Sequence, residues 1–197
     1  LPSAQAWNCE VSRDDRYAMP SEDAGRLTAR QHAHVVRMIR DGHLPEHAAG
    51  YVRFQMNDGG ASNEYLPPWE KVVNPRAVTK DDAVWTAERL VMPIEIGEWH
   101  IMWLNSEGKW MKVVHPDAWR MPTFKKPLVS VGKLIHESKC KVDLDDDNPK
   151  IVVPKMGVSF NMLPARPPSY TYHQAYLPAD RAYLLKLGEK EKSKTGT

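Results

Sequence analysis

Few residues of this chain have types and spacings that could do chemistry. His43, Leu44, Pro45, Glu46 and His47 place two imidazoles around one carboxylate within five residues. Two neutral histidines can hold a divalent metal, and a glutamate beside them can deprotonate a metal-bound water. Asp143, Asp145 and Asp147 repeat the oxygen spacing that opens a calcium loop. Asn148 then stands where that loop needs glycine, and Pro154 where it needs a bidentate glutamate. This acidic run therefore reads as a solvated turn. His32 and His34 are two apart and point to different sides of a helix. Val131, Gly132 and Lys133 lack the upstream glycine and the hydroxyl residue of a phosphate loop, and nothing in the sequence sets serine, histidine and aspartate at a nucleophile's spacing.

The string from His43 to His47 resembles the zinc site of the inverted zinc peptidases, whose two histidines bind zinc while the glutamate activates water. The resemblance covers five residues and implies that His43 and His47 are the ligands. Pro45 starts a helix rather than continuing one, which separates the two imidazoles. The stretch from Trp119 to Lys126, where a further carboxylate ligand belongs, contains no glutamate. The sequence thus assigns no catalytic residue, no cofactor and no metal. His43 and His47 stand as the alternative metal pair.

A second chemistry is available to Lys109, Trp110, Lys112, Trp119, Arg120, Phe124, Lys125 and Lys126, which mix cations with aromatic rings. Such a mixture neutralises phosphates and stacks on bases. Lys109, Lys112, Arg120, Lys125, Lys126 and Lys133 are the expected contacts to RNA or another anionic partner. The tryptophans read first as core.

The element that must carry this chemistry is a β-hairpin. Glu98 to Leu104 forms one arm and Lys109 to Val114 the other, with Gly108 taking the positive φ of the turn. Trp99 and Trp103 share one face with Ile101, and Trp110 reaches that face or its edge according to register. Trp99, Trp103 and Trp110 are the core anchors. Thr28 and Gln31 form a capping box for a helix that closes at Gly42, and Pro45 opens a short helix to about Phe54. Thr79, Asp81 and Asp82 predict a helix from Lys80 to Val91, stopped by Pro93. Leu128 to Val131, Cys140 to Leu144 and Lys150 to Val153 read as short strands. Ser169 to Gln174 reads as an edge strand, and Pro178 to Leu187 as a last helix. Nine of the 16 prolines lie between Pro116 and Pro178.

These elements predict an α+β fold: a small Trp-rich hairpin or sheet core, two to four short helices, and extended Pro-rich arms at both ends. Residues 1–26 form the N-terminal arm, anchored by Trp7 and Tyr17. Residues 27–116 form the helix-hairpin core, and residues 117–197 form a Pro-rich segment packed on it. Net charge is +2, divided as −4 over residues 1–100 and +6 over residues 101–197. No apolar run reaches the roughly 18–20 residues that span a bilayer. Cys9 and Cys140 are far apart and are compatible with a reducing interior or with one disulfide.

The chain opens on Leu1, from which a removed mitochondrial presequence is expected. Together these features predict a non-catalytic structural or accessory subunit of a large assembly, first of all a mitochondrial ribosomal protein contacting ribosomal RNA and neighbouring subunits. A peripheral subunit of a respiratory or ATP synthase complex, a small metal-dependent enzyme using His43 and His47, and a virion shell protein are the alternatives.

Overall fold

A computed structural model describes residues 27–186. The expected N-terminal arm, its anchors Trp7 and Tyr17, and Cys9 lie outside the described residues. The first helix, α1 (Ala29–Arg40), starts as its capping box requires. Thr28 Oγ1 accepts from the Gln31 N–H, and the Gln31 side chain accepts from the Thr28 N–H. Gly42 follows at φ 75°. A 3-10 turn (Glu46–Tyr51) then leads straight into β1 (Arg53–Asp58), so the helix predicted to reach Phe54 ends earlier.

The hairpin is longer than its pattern suggests, with β6 (Glu95–Leu104) and β7 (Trp110–Arg120). Gly108 sits in its turn at φ 82°, and a side chain there would strike the His43 ring at 2.5 Å. Pro116 is tolerated inside β7 because the register shifts between Gly97 and Trp99, so the proline falls in a bulge.

The expected α+β architecture is corrected to a mostly β fold built on a closed six-stranded barrel. The ring runs β12 (Tyr172–Pro178), β1, β8 (Leu128–Ser130), β2 (Glu64–Leu66), β7 and β6. Leu177 opposite Met102 and Pro178 opposite Ile101 close it. The strand expected at an edge is therefore the closing strand, hydrogen-bonded on both sides. The Pro-rich segment is not an extended arm, because β8 and β12 are staves of the barrel. β3 (Val73–Arg76) lies beside β6, where Gly97 lets the Val73 carbonyl approach: a Cβ there would meet it at 2.7 Å.

A second sheet of β9 (Lys141–Asp143), β10 (Lys150–Val153) and β11 (Val158–Asn161) is antiparallel and joins the hairpin turn through Asn105 and Phe160. A short helix, α2 (Val131–His136), follows β8 and has no counterpart among the expected elements. The last predicted helix starts later than Pro178, which closes β12: a 3-10 turn (Ala179–Arg181) comes first, and residues 183–186, the last described, are helical.

The predicted helix from Lys80 to Val91 does not form. Its capping box closes a single 3-10 turn (Lys80–Asp82), and β4 (Val84–Trp85) then pairs with β5 (Leu90–Val91). Arg76 binds both oxygens of Asp82 at 3.0 Å, and with the Thr79 N–H holds the pKa of that carboxyl at about 2. Val84 and Val91 then meet across the ribbon, and Val91 is buried. An ion pair six residues back and a strand pairing seven residues on override the helix signal within the segment.

Trp99 and Trp103 are 1% and 2% exposed and face the barrel interior with Ile101. Trp110 is opposite Leu104 and lies in a different cluster, between α1 and the barrel, where its indole donates to the His43 carbonyl at 2.7 Å.

Candidate nucleic-acid interface

The barrel interior carries polar groups, and most of them hold one another, although Gln174 Nε2 and His115 Nε2 are buried without a hydrogen-bond partner. Trp103 Nε1 donates to Gln55, Gln55 to Asn57, and Asn57 to Gln174. Glu70 is buried and accepts from Arg53 at 3.1 Å, from Trp99 at 3.2 Å and from the Tyr176 hydroxyl. Burial, reinforced by Glu70, pushes the Tyr176 phenol well above its ordinary value. Glu64 meets Lys133 at 2.7 Å and lies 3.7 Å from His115, which stacks on Trp99. Buried carboxylates satisfied by several donors fix the packing of a core. This interior is a scaffold.

A different arrangement occupies the outside of β1. On α1 the apolar stripe of Val35 and Met38 faces inward. Arg30, His34 and Arg37 follow at i, i+4 and i+7, which is one ridge of the helix. His34 packs edge-on against Phe54 of β1 at 6.1 Å, so this ridge borders the barrel. Arg30 donates to the Pro164 carbonyl at 2.6 Å, and the neighbouring Leu163 N–H bonds to the His173 carbonyl at 2.7 Å. In turn His173 opposes Met56, whose other side pairs with Leu128 and whose N–H bonds to the Pro127 carbonyl. Arg30, His173 and Lys126 are thereby drawn to one region from three distant parts of the chain.

The electrostatics agree. Burial, then Lys126, then Arg30 lower the pKa of His173. Burial and then Arg37 bring that of His34 down to about 4. Both imidazoles are therefore neutral near pH 7, between permanent cations. The three contributing segments, residues 27–40, 118–136 and 161–179, contain no Asp or Glu at all. Carboxylates approach from elsewhere: Asp147 meets Arg166 at 3.1 Å, and Asp58, at the end of β1, lies opposite Ser130.

Of the cations expected from sequence, the structure brings Lys126 into this face, with exposed Lys125 next to it. Lys109 and Lys112 are exposed at the opposite end of β7, which at about 3.3 Å per residue is some 30 Å long. Arg120 is corrected: it is 1% exposed, pairs with Glu95 at 3.0 Å and donates to the Pro68 carbonyl. Lys133 is likewise directed inward, onto Glu64.

The five-residue histidine string does not assemble a site. His47 Nε2 lies 2.8 Å from the Leu184 carbonyl, while the His43 ring packs beside Gly108. No group of three or more His, Cys, Asp or Glu is placed to hold a metal among the described residues. Asp145 accepts the N–H groups of Asp147 and Asn148 in an exposed turn.

Sequence reasoning misses Arg30, His34, Arg37 and His173 as site residues. A carboxylate-free helix with three arginines is a usable signal, but its meeting with Lys126 is not. Trp119 and Phe124 serve elsewhere. Trp119 packs edge-on with Tyr65, as does Phe124, and together with Trp85 and Asp58 they line a cleft of about 570 Å³.

No helix among the described residues is long and apolar enough to cross a membrane. Comparison with known proteins brings no relative: no family model, curated protein or solved structure matches this chain.

Proposed function

We propose that this chain is a non-catalytic subunit of a ribonucleoprotein assembly and that the face formed by Arg30, Arg37, Lys125 and Lys126 lies on RNA phosphates. The observation that carries this reading is the convergence of three carboxylate-free segments around β1, with β12 and β8 on its two edges and α1 against Phe54. RNA is a dense line of negative charge, and releasing its counterions drives association with clustered cations. Arginine adds planar donors matched to phosphate oxygens. His34 and His173, neutral at pH 7, add imidazoles that become cationic as pH falls. The mitochondrial ribosome suggested by the sequence is the first assembly in which to look.

The test is the salt dependence of binding to a single-stranded RNA oligomer, measured by fluorescence anisotropy. Each phosphate contact contributes a slope of about −0.7 in log affinity against log salt. Replacing Arg30, Arg37 and Lys126 by glutamine is expected to flatten the slope by about 2 and to weaken binding about a hundredfold at 0.1 M salt. Lys109→Gln, at the far end of β7, leaves both unchanged. RNA binding that survives the triple substitution, or its absence from the unaltered chain at low salt, overturns the reading.

A further inference from the structure

The cleft lined by Trp85, Phe124 and the buried rings of Tyr65 and Trp119 adjoins the cationic face, since Lys125 and Lys126 lie between its lining residues Phe124 and Leu128. Its own lining has different chemistry. Trp85 is 78% exposed, although it belongs to a paired strand. Its cross-strand partner Leu90 is exposed as well, whereas Val91 on the other face of the ribbon is buried. The two-stranded ribbon pairs with no other strand, so its outer apolar face has no cover within the described residues. Trp85 and Leu90 together leave a contiguous apolar patch in water, the kind of surface that interaction sites present.

The lining decides what docks there. Asp58 is its only charged residue among the described residues, held in place by accepting the Gly60 N–H at 2.8 Å. Arg76, whose guanidinium lies 5.9 Å from the Trp119 ring centre, is already engaged by Asp82 and Asp117. The carboxylate inside the lining and the engaged arginine disfavour a phosphate within the cleft itself, while Lys125 and Lys126 stand at its border. The cleft favours an apolar ligand with one cation. Beside the rings stand Asn63 and Ser62, whose hydroxyl shares a hydrogen bond with that of Tyr65, while the Thr86 hydroxyl already donates to the Arg89 carbonyl. The Asn63 amide can donate to backbone carbonyls that have no internal hydrogen bonds.

We propose that this cleft binds a proline-rich segment of a partner protein in the polyproline II conformation, with an arginine or lysine of that segment on Asp58. Such a segment has unpaired carbonyls every three residues per turn, presents flat pyrrolidine faces to aromatic rings, and is ordered before it binds. Preorganisation spares the ordering cost that a flexible peptide incurs on a shallow surface.

The experiment titrates the purified chain with a ten-residue peptide of repeated Pro-x-x-Pro carrying one terminal arginine, followed by tryptophan fluorescence and calorimetry. Saturable binding is expected, and Trp85→Ala weakens it about tenfold, the scale of an aromatic anchor. Because Trp85 is exposed, that variant keeps its fold, which a thermal melt verifies. Asp58→Asn weakens binding several-fold, as does replacing the peptide arginine by alanine. The two changes together are no worse than either alone. Binding indifferent to Trp85→Ala, no binding at millimolar peptide, or a fluorescence response to RNA or an oligosaccharide instead of the peptide overturns the proposal.

Discussion

The face over β1 and the cleft beside the β4–β5 ribbon are both surface sites, built on opposite principles. The face over β1 is assembled from permanent cations on three segments that meet only in the folded chain, and its aromatic partner Phe54 is covered. The cleft draws on residues 58 to 128, keeps one carboxylate, and leaves a large indole uncovered. Long-range charge governs the first and contact area the second. Salt should therefore separate them. Screening acts on the cationic face over roughly 8–10 Å at ordinary ionic strength, whereas stacking on Trp85 is nearly indifferent to it.

The contrast can be broken most directly by exchange of substitutions. The glutamine triple variant at Arg30, Arg37 and Lys126 is expected to lose RNA affinity about a hundredfold while binding the proline-rich peptide unchanged. Trp85→Ala is expected to lose the peptide about tenfold and leave RNA binding unchanged. If either variant moves both affinities, the two regions are one site.

Raising salt from 50 to 200 mM sharpens the same contrast. Three phosphate contacts predict about a twentyfold loss of RNA affinity, against less than about twofold for the peptide. Equal losses measured by anisotropy would mean that Asp58 and its ion pair dominate the cleft.

The histidines offer a smaller, internal check. The pKa of His34 in the folded chain, about 4, lies below its unfolded value of 6.5. Folding thus favours the neutral imidazole. The stabilisation is complete above pH 6.5 and is lost as pH falls from 6.5 to about 4. Urea midpoints across this window should fall more steeply for the native chain than for His34→Gln. By the same logic Lys126→Gln removes one of the influences that lower His173, so an NMR titration of that ring should move upward. An unmoved His173 would separate Lys126 from the face.

The smallest effect is expected at Arg30, whose guanidinium donates to Pro164. Arg30→Gln should lower stability by about 1 kcal/mol or less, since exposed hydrogen bonds contribute little net.

Several elements are legible from local sequence. The capping box of Thr28 and Gln31, the Gly108 turn, the inward face of Trp99 and Trp103, and the strands at Leu128, Lys141 and Lys150 all depend on neighbours within a few residues. The same local logic fails at Lys80 to Val91. There an equally good capping box closes one turn, because Arg76 and the pairing of Val84 with Val91 offer more than continued helix. Among the candidate contacts, a surface lysine and a buried arginine look alike in sequence. Arg120 turns inward to Glu95 because β7 presents it to the barrel, and Lys126 stays outside because it precedes a stave.

What the sequence alone determined is the inventory: a tryptophan-rich hairpin, a helix without carboxylates, and no assembled metal or nucleophile motif. Only tertiary structure decided the rest. Closure of the barrel between β6 and β12 joins residues over 70 positions apart, and no local preference encodes such a pairing. The register of β12 on β1 and of β1 on β8, with the bond from Arg30 to the Pro164 carbonyl, brings Arg30, His173 and Lys126 into one place. The cationic face is thus a consequence of strand order, while its charges were always visible.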